Sequence, residues 1–106
     1  MSRRYQVTLH GTGFSVPVEG GKPIRGFFTI RRVLADSPED AERSAIATLQ
    51  QEARYRSLVE TTERELGSRD GCKVRPDDIG YLSWWRWHFT KYSPSFIFYG
   101  DDENDG

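Results

Sequence analysis

The first regular pattern along the chain is strict alternation. In "YQVTLH", Tyr5, Val7 and Leu9 fall on one side and Gln6, Thr8 and His10 on the other, the period of two that a half-buried strand requires. Gly11 and Gly13 interrupt the run, which predicts a bulge or bend before "FSVPV". "EGGKP" reads as a turn, and "GFFTIRRVLA" as the strongest strand of the first half. Phe28, Ile30 and Leu34 share one of its faces, and Phe27, Thr29, Arg31 and Val33 share the other.

The period changes after Ala35. In "DSPEDAERSAIATLQQEAR", Ser37 is placed to cap a helix, Pro38 suits the first helical position, and Asp40 completes the S-x-x-D pattern. Ala41, Ala45, Leu49 and Ala53 recur every four residues with Ile46 beside them, a narrow stripe of small residues fit to lie on a sheet. Glu39 and Asp40 sit at the positive end of the helix dipole, Arg54 and Arg56 near its negative end. Residues 57–66 allow two readings. Leu58, Thr62 and Leu66 keep helical spacing with Gly67 as a cap, whereas the Val and Thr content suits an edge strand. "SRDGCKVRPDD" has the composition of a loop.

Three tryptophans, an arginine and a histidine then crowd into "SWWRWHF", residues 83–89. Aromatic enrichment favours a strand from Ile79 to Phe89; the alternative is a helix capped by Asp77 or Asp78. As a strand, Tyr81, Ser83, Trp85, Trp87 and Phe89 line one face, and Leu82, Trp84, Arg86 and His88 the other. The first face is too apolar for water, which predicts Trp85 and Trp87 in the core, opposite the alanines of the helix. "SFIFY" closes the domain as a short strand. The pattern as a whole predicts an α+β fold: a two-layer sandwich with an antiparallel sheet of about four strands, in β-β-α-β-β order, packed by one main helix. Residues 1–99 form the single domain, and 100–106 an acidic, disordered tail.

Composition adds limits. Hydrophobic residues make up 36% of the 106 residues, charged residues 29% and aromatic residues 13%, so rings must supplement a modest aliphatic core. No apolar run approaches the roughly 18–20 residues of a membrane helix, and no apolar segment follows the basic start as it does in a secretory signal. Cys72 is the single cysteine, which excludes an intramolecular disulfide and suits a reducing cytoplasm. A cytoplasmic domain without a membrane partner is expected, bacterial in its economy of size. The net charge of −1 includes four acids in residues 100–106. The slightly basic body permits a polyanion partner without calling for one.

The sharper motifs dissolve on inspection. "RGFFTIRR" meets the first ribonucleoprotein motif of RNA-recognition domains at Arg25, Gly26 and Phe27, with Ile30 standing for Val. It departs from the motif at Phe28, Thr29 and Arg32, and it precedes the helix instead of following one. "GTGFSV" lacks the third glycine of a dinucleotide fingerprint, and Pro17 blocks the helix that would hold the phosphate. "EGGKP" lacks the upstream Gly and the Ser/Thr of a P-loop. "DDENDG" opens like a calcium loop but lacks the closing Glu. His10, His88 and Cys72 have no metal-site spacing. Cys72 with a histidine is the one conceivable nucleophilic pair, with Lys73 and Arg75 placed to lower the thiol pKa, but no supporting signature accompanies it. No catalytic residue, metal or cofactor is assigned.

What remains is a partner-binding face of Phe27, Arg31, Trp84, Arg86 and His88, joined by Gln6, Thr8 and His10. It mixes rings with cations, as peptide-binding and base-stacking surfaces do. The expectation is a non-catalytic protein–protein interaction or regulatory module whose partner is another protein. The alternative is single-stranded nucleic-acid binding, with Arg31, Arg32, Arg86 and Lys91 at phosphates and Trp84 or Phe27 stacking on bases.

Overall fold

The computed structural model describes residues 2–83, 86, 87 and 95–100. Six elements follow one another: β1 (Arg3–Thr12), β2 (Ile24–Ala35), α1 (Pro38–Gln51), α2 (Ala53–Leu66), β3 (Lys73–Tyr81) and β4 (Phe96–Gly100). The strands form one antiparallel sheet in the order β3-β1-β2-β4. The fold is α+β as the sequence indicates, but the order is β-β-α-α-β-β, and two helices of 14 residues each replace the single main helix.

β1 behaves as its alternation requires. Tyr5, Val7 and Leu9 are buried under the helices, and Gln6, Thr8 and His10 turn to the other face. Each fully buried apolar side chain contributes roughly 1.5–3 kcal/mol. At the end of β1 the chain bends through Gly13, whose φ of 80° suits glycine, and a Cβ there would run into the carbonyl oxygen of Gly71. Phe14 then folds back into the core against Phe27 and Tyr55, with ring centroids 5.3 and 6.1 Å away.

α1 starts where the capping residues place it: Ser37 Oγ accepts the Asp40 N–H at 3.1 Å. Its buried stripe is Ala41, Ala45 and Leu49. The stripe does not continue to Ala53, because the helix breaks at Glu52, which is extended (φ −77°, ψ 141°). A straight continuation would keep exposed Ala53 in line with the stripe and turn Tyr55 away from the sheet. The break resets the phase so that Tyr55, Val59 and Thr62 face inward instead. α2 ends on Gly67 in the left-handed conformation, which settles residues 57–66 as helix.

β3 begins within the stretch that reads as loop and ends on Ile79–Tyr81, the first residues of the strand expected across Ile79–Phe89. It is an edge strand, where Pro76 costs no interior ladder bond. A register shift pairs Thr8 with Asp78 and Leu9 with Pro76, leaving Asp77 as the extra residue of a bulge. Val74 and Ile79 still pack on the core.

The strand expected across Ile79–Phe89 stops at Tyr81. The Ser83 side chain and carbonyl then accept the backbone N–H groups of Arg86 (3.2 Å) and Trp87 (2.9 Å), and both residues are helical. Trp87 is half-buried in this turn instead of projecting from a strand into the core. Trp85 lies outside the described residues, as do residues 101–106 of the expected tail; Gly100 belongs to β4.

Candidate functional site

The register of β1 and β2 decides which side chains share a face. Leu9 pairs with Thr29, Val7 with Arg31 and Gly11 with Phe27, so all of these point toward the helices. His10 pairs with Phe28, Thr8 with Ile30 and Gln6 with Arg32, on the opposite face. The grouping of Phe27, Thr29 and Arg31 with Gln6, Thr8 and His10 is therefore corrected: the two sets are separated by the thickness of the sheet.

Phe27 is 1% exposed, ringed by Phe14, Tyr55 and Phe96. Arg31 is 3% exposed, and its guanidinium meets both carboxylate oxygens of Glu52, at 2.6 and 3.2 Å. It also donates to Thr29 Oγ1 and to the Ile30 carbonyl, and lies 5.5 Å from the centre of the Phe96 ring. Neither residue is available to a partner; both hold the fold. Arg86 is exposed in the helical turn, and its carbonyl accepts a hydrogen bond from Arg32 at 3.4 Å. Trp84 and His88 lie outside the described residues.

The outer sheet face brings His10, one of the expected partner-face residues, together with Phe28 and Tyr99, which that expectation does not include. His10 stacks on Phe28 with centroids 4.3 Å apart and planes 13° from parallel, and its Nε2 lies 2.7 Å from the Tyr99 hydroxyl. Tyr99 covers Gly26, where a Cβ would collide with its hydroxyl. These contacts link β1, β2 and β4 across the surface. Beside them stand Ile30, Leu34 and Ile97, 40%, 56% and 67% exposed. The turn at Arg86 and Trp87 meets this side of the sheet at Arg32. The available signal was β2 itself, which is apolar on both faces although helices cover only one.

A second feature is a cavity of about 320 Å³ at the α2–β3 junction, lined by Gln50, Tyr55, Arg56, Val59, Glu60, Arg69 and Cys72. Burial pushes the Cys72 thiol up, against the smaller opposing pulls of a Thr62 hydrogen bond and the Arg69 charge. The expected lowering by Lys73 and Arg75 is not what the geometry gives: both pair in register on the opposite face, with Thr12 and His10. A raised pKa keeps the thiol protonated at neutral pH, the unreactive form. Tyr55 is raised as well, by burial first and then by Cys72. Arg69 is held by Glu63 at 2.6 Å. Among the described residues, no group of three His, Cys, Asp or Glu side chains is placed to hold a metal ion, and no helix is long and apolar enough to cross a membrane. Comparison with protein-family models, with curated proteins and with solved structures finds no match.

Proposed function

We propose that the domain is a non-catalytic protein-interaction module that meets another protein through the outer face of its sheet. The observation that carries this reading is the position of Ile30, Leu34 and Ile97, three of the exposed apolar side chains, which share the face that α1 and α2 do not cover. Exposed β-branched and leucine side chains beside a hydrogen-bonded aromatic cluster offer apolar area with a polar rim, the composition of a protein interface. The outer surface of α1 is charged by contrast, with Arg43 and Asp40 paired at 2.7 Å. The setting in this reading is a reducing bacterial cytoplasm, which suits the free thiol of Cys72.

The nucleic-acid alternative draws less support. Phe27 and Arg31, two of the groups it needs, are buried on the helix-covered face.

A photo-reactive benzophenone side chain in place of Leu34 tests the proposal in the cells that express the protein. Irradiation is expected to give a discrete heavier adduct from that position and none from Thr48, exposed on α1. Adding Ile30→Glu is expected to abolish the adduct. Equal labelling from both positions, or none from Leu34, would remove the outer face from consideration.

A further inference from the structure

The helix break at Glu52 turns Tyr55 and Val59 inward, where they line the cavity of about 320 Å³ between the end of α1, the first turns of α2 and the chain leading into β3. Its floor is Tyr55, Val59 and the half-buried Cys72. Its rim is Arg56, Glu60 and Arg69, all exposed. The volume stands at the low end of the roughly 300–1,000 Å³ of small-molecule sites, which suits a small metabolite.

The fold leaves polar groups around this cavity without partners. Tyr55 is 9% exposed, with its ring set edge-on to Phe14 and Phe27. Its hydroxyl nonetheless has no hydrogen-bond partner among the described residues, and it opens on the cavity instead of being sealed in the core. Burial, and then the neighbouring Cys72, raise its pKa, so the phenol remains a donor at neutral pH. Arg56 and Glu60 are one turn apart on α2 with the arginine first, the weaker orientation for an ion pair. Among the described residues they do not pair with each other. The Arg56 guanidinium donates to the Gln51 carbonyl at 3.2 Å, and the Glu60 carboxylate has no partner. Arg69 gives Nε and Nη2 to one oxygen of Glu63, at 3.2 and 2.6 Å, which leaves Nη1 over.

Cations, a phenol and a carboxylate therefore surround an apolar floor. A simple anion would satisfy the guanidinium groups but meet Glu60 as a like charge. A simple cation would meet the reverse. A small zwitterion satisfies both.

We propose that this cavity binds a free α-amino acid with an apolar side chain. Its carboxylate is taken by Arg56, by Arg69 Nη1 and by the Tyr55 hydroxyl, and its ammonium by Glu60. Its side chain rests on Val59 and on the Cys72 thiol, which behaves as a small hydrophobe when protonated. The site lies on the helix side of the sheet, so it goes beyond the outer-face reading and stands apart from it.

Isothermal titration calorimetry on the full chain tests the proposal with leucine, with isocaproate, which lacks the ammonium, and with isoamylamine, which lacks the carboxylate. Leucine is expected to bind saturably with a Kd below about 1 mM, and each truncated analogue at least tenfold more weakly. Arg56→Gln and Glu60→Gln are each expected to weaken leucine at least tenfold. Both positions are exposed, and circular dichroism establishes that the variants fold. Glu60→Gln is expected to leave isocaproate unchanged or bound more tightly, which general damage to the fold would not do. Arg43→Gln, an exposed arginine of α1 outside the cavity, is expected to leave leucine binding within twofold. In methyl nuclear magnetic resonance the Val59 signals should move on adding leucine, while those of Leu34 on the outer face stay. No saturable heat from leucine, valine or methionine overturns the proposal and leaves the outer-face reading to its own cross-linking test. Isocaproate binding as tightly as leucine also overturns it, and would make the cavity a site for simple anions. So does leucine binding that Arg56→Gln leaves unchanged.

Discussion

Phe27→Ala is expected to lower the free energy of unfolding by about 3–5 kcal/mol, the range for removing a buried aromatic side chain. The ring sits at the meeting point of three elements. It contacts Phe14 from the β1–β2 connection, Tyr55 from α2 and Phe96 from β4, with centroids 5.3, 6.4 and 5.0 Å away. It also covers Gly11, so its loss opens a cavity and uncovers backbone in the same place. Urea unfolding followed by far-ultraviolet circular dichroism gives the number directly. Phe28→Ala, one residue away on the half-exposed outer face, is expected to cost distinctly less. Equal losses would mean that the two faces of β2 are equally buried, contrary to the register described above.

Glu52→Ala is expected to cost a similar 3–5 kcal/mol, although the Glu52 side chain is 31% exposed. The reason lies in its partner. Arg31 cannot give up its charge, and at 3% exposure it has little access to water once the carboxylate is gone. The Thr29 hydroxyl, the Ile30 carbonyl and the Phe96 ring remain, but none of them carries a negative charge. Removing both partners should be far milder. An Arg31→Met, Glu52→Ala double variant is expected to recover most of the loss, since an apolar side chain of similar length avoids stranding a charge in the core. A double-mutant cycle in the same urea assay measures this coupling. Additive losses would show that the pair does not act as a unit.

Arg31 also explains why part of the architecture was hidden in the sequence. A charge in the middle of a strand reads as a solvent-facing position, so Phe27, Thr29 and Arg31 read as an open face. The carboxylate that permits its burial lies 21 residues later, at a helix break marked by neither glycine nor proline. Local pattern could not show this, because the break serves a tertiary ion pair and a change of helical phase. By contrast, α1 was fully legible at its start, since Ser37, Pro38 and Asp40 act through neighbouring backbone groups alone.

The other departures have similar causes. Pro76, Asp77 and Asp78 gave β3 the composition of a loop, and only its position at a sheet edge makes a strand tolerable there. The aromatic density of residues 83–89 suggested a strand, but a Ser83 cap starts a helical turn. The outer face is legible in part, since the period of two sets Phe28, Ile30 and Leu34 on one side of β2. Which side the helices would cover depends on the β1–β2 register, and apolar residues on both faces of β2 left that open.

The account depends most on that outer face being open to solvent while the other is sealed. Methyl nuclear magnetic resonance with a soluble gadolinium chelate measures this residue by residue. The methyl signals of Ile30 and Leu34 are expected to broaden strongly, whereas those of Leu9 and Leu49 stay sharp. Ile30 and Leu34 signals as well protected as those of Leu9 would contradict the account, because the surface assigned to partners would already be covered.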